Sequence, residues 1–122
     1  MAKSSDLMGL GFASAQANAI GFTLKAITAA GTTSADATAC DAQSTFFNVT
    51  ATGSDGIRMS SSAPLLTPIV VANPSGSNGV VYPHTGGTVN GGSTDAGETI
   101  ATTTVQIWFR ISSTAWVAVL GA

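Results

Sequence analysis

Charge is what this chain has least of. Its 122 residues include four Lys or Arg and six Asp or Glu, 8% in all, against roughly 25% in an ordinary globular protein. Four cations and a formal net charge of −2 argue against nucleic-acid binding, which depends on cations that displace counterions from phosphates. The scarcity does not signal disorder. Disordered chains combine low hydrophobicity with high net charge, and here 44% of residues are hydrophobic. Cysteine is equally scarce: Cys40 stands alone, so no internal disulfide forms, and it reads as a small buried apolar residue. No apolar run approaches the roughly 18 residues of a membrane span. The start imitates a signal peptide, but its apolar run is only Leu7 to Phe12, broken by Gly9 and Gly11 and preceded by Asp6. The chain is expected to be made in the cytoplasm and not exported.

Reactive constellations are missing too. His84 is the single histidine; a metal site needs three or four convergent ligands and a triad needs a positioned nucleophile and acid. It reads as an exposed loop residue. Asp95 with Glu98, and Asp36 with Asp41, are pairs that could meet in space, but acid–base work needs a carboxylate raised in a cleft, and these lie in polar loops. "GGTVNGG" lacks the Lys-Ser/Thr ending of a phosphate loop; its glycines suit tight turns. Asn48-Val49-Thr50 matches a glycosylation sequon, incidental in a chain that is not exported. The expectation is no catalytic residue, no metal and no cofactor.

What is present is serine, threonine, 14 glycines and short strand-like runs. Residues 1–22 read as an N-terminal arm and a short helix over Ala13 to Ile20, ended by Gly21; residues 23–122 read as one β domain. In Thr45 to Thr52, Phe47, Val49 and Ala51 share one face. Asp55-Gly56 is a hairpin-turn signal. "TPIVVAN" opens a strand at Pro68, and "GVVYP" is stopped by Pro83. "TTTVQIWFRIS" is the strongest strand: Val105, Ile107, Phe109 and Ile111 line one face and Gln106, Trp108 and Arg110 the other; if the stripe faces the core Trp108 faces outward, and otherwise a second layer of the same domain covers Trp108. "AWVAVL" returns as its hairpin partner. Six or seven short strands near ten-residue spacing predict an antiparallel β-sandwich or barrel.

"ATGSDGIRM", "TPIVVAN", "VVYPHTGGTVNGG" and "FRISSTAWVAVL" resemble small virion proteins of tailed bacteriophages and cyanophages. The resemblance runs from Ala51 to Leu120, and "DLMGLGFASAQANAIGF" is similar to the short helical start of such proteins. They are associated with head decoration (capsid cement) or with pieces of fibres, and decoration proteins are often trimers seated on the capsid lattice. The resemblance implies a structural protein of the virion, located on the capsid surface. It would bind the major capsid protein as a homotrimer, with no nucleic acid, no membrane and no enzymatic activity. The alternatives are a trimeric head- or tail-fibre module and a glycan-binding β domain using Trp108, Tyr82 and the Asn90 loop. The expected partner interface is Leu7, Met8, Leu10 and Phe12 on the arm, with Trp108 and Arg110 on the strand, since aromatics and arginine concentrate at interface hot spots.

Overall fold

A computed structural model describes residues 24–120; the expected arm and helix, and with them Leu7, Met8, Leu10 and Phe12, lie outside the described residues. The described chain is all-β, with ten strands: β1 (Leu24–Thr28), β2 (Thr38–Ala39), β3 (Phe46–Thr50), β4 (Asp55–Arg58), β5 (Ile69–Asn73), β6 (Gly79–Tyr82), β7 (Thr88–Val89), β8 (Glu98–Ile100), β9 (Thr104–Arg110) and β10 (Ala115–Val119). They form a six-stranded sheet, β1-β3-β5-β9-β10-β7, and a four-stranded sheet, β2-β4-β6-β8.

The first six strands alternate between the sheets. Odd strands pair in parallel in one sheet, even strands in parallel in the other. The chain therefore coils in rungs: 22 residues separate Leu24 from its partner Phe46, and 24 separate Phe46 from Val70. The antiparallel β9–β10 hairpin and β8 close the far side, and β7 runs parallel to β10. The sheets are thus mixed, which corrects the antiparallel expectation. The physical reason lies at Asp55-Gly56. This dipeptide is inside β4, and the chain turns earlier, at Thr52 to Ser54. There the Asp55 carboxylate accepts hydrogen bonds from the Thr52 amide (3.0 Å), the Thr52 hydroxyl (2.8 Å) and the Gly53 amide (3.3 Å). Gly53 and Ser54 take positive φ of 148° and 57°. That arch carries the chain to the other sheet, so β3 and β4 never meet as a hairpin.

One core lies between the sheets. Phe47, Val49, Val71, Trp108 and Trp116 from the larger sheet meet Ile57, Val81 and Ile100 from the smaller. Phe47, Val49 and Ala51 share the buried face as their alternation predicts. On β9 the second of the two alternatives holds: Gln106 and Trp108 are buried while Val105, and Ile111 just beyond the strand, are about half exposed. Trp108 therefore does not face outward. Its inward position is fixed by volume and by partners. The indole Nε1–H donates to Gln106 Oε1 (3.0 Å), and Gln106 Nε2 donates across the sheets to the Thr99 carbonyl (2.9 Å). A second cross-sheet tie is Asn73, fully buried, whose amide nitrogen donates to the Ser77 (2.8 Å) and Ile100 (3.2 Å) carbonyls.

Candidate interaction surface

The residues that looked chemical from the sequence are spent on architecture. His84 is buried, not exposed. Pro83 stops β6, and the next turn tucks the imidazole under β10, where its Nδ1 accepts from Trp116 Nε1 at 2.8 Å. Gly87 packs closely here: a Cβ would fall 3.0 Å from His84 Cε1 and 3.0 Å from the His84 carbonyl oxygen. Burial and the nearby Arg110 cation hold the His84 pKa below its ordinary 6.5, with Asp95 and the Ser113 carbonyl opposing them. A neutral ring with Nδ1 as acceptor fits the Trp116 bond. Trp116 then packs edge-on against Trp108, ring centroids 5.9 Å apart, a geometry worth about 0.5–1.5 kcal/mol beyond burial.

The carboxylates serve turns. Asp36 Oδ1 accepts from the Thr33 amide and hydroxyl. Asp41 accepts from Gln43 and Ser44 and lies 3.6 Å from Lys25 Nζ. Asp95 accepts from the Gly86 amide. Asp36 and Asp41 are thus tied into separate turns, and of the other pair Asp95 is bound in a turn while Glu98 opens β8. Burial alone would raise Asp41 and Asp55, but the donors around them outweigh it and both end below the usual carboxylate range. Cys40 is buried as expected, and burial, with Asp41 beside it, pushes its thiol up to about 12, so it is no nucleophile. Among the described residues no group of three or more His, Cys, Asp or Glu is placed to hold a metal.

Arg110 is half-buried and clamps loops: Nη1 donates to the Ser61 (2.8 Å) and Ala63 (2.9 Å) carbonyls and Nη2 to Ser113 (2.8 Å). With Trp108 sealed in the core, the two strand residues expected at an interface are brought to one end of β9 but not to the surface as a pair. Tyr82 is likewise buried, its hydroxyl donating to the Thr32 carbonyl (3.2 Å). Asn90 uses its side chain as a strand would, donating to the Ala118 carbonyl and accepting from the Ala118 amide. Trp108 and Tyr82 are both buried, so neither ring is presented for a sugar to stack on.

The informative surface is elsewhere. The back of the four-stranded sheet is partly covered: Arg58 reaches the Ser34 carbonyl (2.6 Å), Tyr82 reaches Thr32, and Gly97 lies so close that a Cβ would sit 2.6 Å from Val80, while Ala39 and Thr99 are exposed. The outward face of the six-stranded sheet carries a different population. Register aligns Leu24, Phe46, Val70, Ile107 and Val119 in one apolar row across five strands. Ala26, Asn48, Ala72 and Val105 form a lower row beside it. Phe109 and Val117 pair on the other side. Leu24 is 68% exposed and Val119 57%. Leu66, 70% exposed with φ of 59°, donates its amide to the Arg110 carbonyl at the end of β9, near Ile111. A left-handed leucine costs roughly 1–2 kcal/mol. No Asp, Glu, Lys or Arg stands in these rows.

Sequence reasoning passed over this surface because alternation left open which of the two faces of β9 turns inward. The signal that finds it is the polar cost of the alternative: Gln106 and Trp108 carry donors that must be paired when buried, and here each is. Comparison of the chain with protein-family models, curated proteins and solved structures gave no match.

Proposed function

We propose that this chain is a structural protein of a phage particle, of the head decoration type. On this reading it seats on the outer surface of the major capsid protein lattice as a homotrimer and holds neighbouring capsomers together. It turns over no substrate and needs no metal, cofactor, nucleic acid or membrane. The observation that supports the reading best is the charge-free set of exposed apolar side chains, Leu24, Val105, Val117 and Val119, on the six-stranded sheet. A contiguous apolar patch of this kind on a soluble domain marks an interaction surface. A rigid body joining several weak contacts gains avidity steeply, because each contact after the first is intramolecular. A standard interface removes about 1,600 Å² from water; bridging two or three capsomers with such contacts opposes their separation.

The finer architecture belongs to the same reading. Two sheets around one core make the body sandwich-like, while the rungs coil in the manner of a solenoid. That coil is the specific observation favouring a second reading, a trimeric head- or tail-fibre module, since rungs of 22 and 24 residues stack along an axis. Glycan binding loses support with Trp108 and Tyr82 buried.

The test is co-sedimentation with empty heads of the phage that encodes the chain. Saturable pelleting, with a plateau at a fixed ratio to coat protein, is expected. A chain that stays in the supernatant across micromolar concentrations contradicts the decoration reading and leaves the fibre module.

A further inference from the structure

We infer that the Asn90 side chain is a plug that closes the six-stranded sheet at β10, and that removing it opens this edge to an extended strand from a second copy of the chain. The plug belongs to the folded chain itself, so it is tested without capsids and stands or falls apart from the decoration reading.

The ladder shows what the plug replaces. β7 pairs with only the first two residues of β10, Ala115 and Trp116. The Thr88 amide donates to the Thr114 carbonyl (2.8 Å) and the Asn90 amide to the Trp116 carbonyl (3.0 Å). A parallel strand that ran on would next meet the Ala118 amide and carbonyl. The backbone instead turns away. Asn90 and Gly91 take φ of 51° and 72°, and the Gly92 amide closes on the Val89 carbonyl at 2.9 Å; two positive φ values in succession mark a type I′ turn. The side chain stays behind. Its Oδ1 accepts from the Ala118 amide (2.9 Å) and its Nδ2 donates to the Ala118 carbonyl (3.1 Å). One carboxamide thus fills the place of a further stretch of strand, and beyond it no strand among the described residues pairs with β10 on that side.

The segment behind the plug is one that needs sealing. Ala115 to Leu120, "AWVAVL", has no charge and no proline, and its valines and tryptophan favour strand. That is the composition of segments that stack as strands in cross-β assemblies. Val117 and Val119 are 39% and 57% exposed. A free amide and carbonyl at Ala118, between them, would be a template for another chain.

The remaining edges are blunted in other ways. β2 and β8 have two and three residues. β1, at the opposite edge of the six-stranded sheet, carries Lys25 on the same side as the buried Ile27 and 3.6 Å from Asp41; an inward-pointing charge on an edge strand discourages pairing. At β10 the seal is one neutral side chain.

The experiment compares the full unaltered chain with Asn90→Gly, which leaves a glycine pair suited to the same turn, and with Asn90→Asp, which keeps an acceptor but sets an anion against the Ala118 carbonyl. Asn78→Ala, whose side chain accepts from the Thr102 amide in a turn of its own, is the control. Amide hydrogen exchange reads the seal: with two neutral hydrogen bonds lost, the Ala118 amide should exchange roughly tenfold or more faster in Asn90→Gly, and at an unchanged rate in Asn78→Ala. Sedimentation velocity reads the consequence. The unaltered chain should hold one size over days, while both Asn90 variants grow larger species. A second change should stop that growth: Ala118→Pro, which takes away the amide an incoming strand would bond, or Val119→Lys, which puts a charge on the edge. Near-UV circular dichroism of the Trp108–Trp116 pair reports folding. Asn90→Asp is read if Asn90→Gly fails that check, and the lysine double variant if the proline one does. Ala118 exchange that stays slow without the Asn90 side chain overturns the inference. So does faster exchange with no larger species, growth that neither second change stops, or equal growth of the unaltered chain or of Asn78→Ala.

Discussion

Trp116 and His84 hold each other in one state. The indole can only donate, so His84 Nδ1 must accept, and a proton arriving there sets two donors face to face at 2.8 Å. The folded pKa is lowered from 6.5. Between the two values the unfolded chain binds more protons, so stability rises with pH. The contribution is fully present above about pH 6.5 and is lost as pH falls through the folded value. His84→Asn keeps an acceptor near the Nδ1 position and cannot titrate. Thermal unfolding of the two proteins from pH 7 to pH 5 should show the unaltered chain losing stability relative to His84→Asn. Curves that stay parallel contradict the assignment. From sequence alone the histidine, followed by Thr85 and two glycines, read as exposed; nothing in its neighbours announced that Trp116, 32 positions on, would come to meet it.

Elements are joined by arches, and the arches are held by carboxylates. At Thr52–Asp55 a single side chain ties down two amides and a hydroxyl, so the change of sheet between β3 and β4 depends on one charge. Asp55→Ala should destabilise the fold by about 2 kcal/mol, the scale of hydrogen bonds to a charged group. Because the folded Asp55 pKa is depressed below 3.8, the difference should be present above about pH 4 and shrink as pH falls through the folded value. Denaturant titrations at pH 7 and pH 2.5 check this; an equal gap at both would show that the carboxylate is not what holds the arch. The strands with β-branched alternation, β3, β5, β6, β9 and β10, were legible at nearly their observed bounds. The two- and three-residue strands β2, β7 and β8 are too short to show a period. Their existence depends on neighbours supplied by the coil. The same holds for pairing direction: Asp55-Gly56 has the local chemistry of a hairpin, and only the distant partner Gly79-Val80 makes it strand.

At the scale of the molecule the decisive fact is which face of β9 turns inward. Alternation divides Val105–Ile111 into two faces but does not choose between them. Hydrophobicity favours burying the Val/Ile/Phe stripe, and the fold buries Gln106 and Trp108 because Thr99 and Trp116 complete them. The apolar residues Val105, Val117 and Val119 are thereby exposed on the outward side of the six-stranded sheet, while Arg58 and Tyr82 hold the 32–35 loop against the other sheet.

Side-chain footprinting by hydroxyl radicals, on the free chain and on the assembled particle, tests this most directly. The account predicts that Leu24, Phe109, Ile111 and Val119 lose reactivity on assembly while Leu120, Met59 and Tyr82 change little. Persistent reactivity across the six-stranded face, with protection appearing on the four-stranded side, would contradict it.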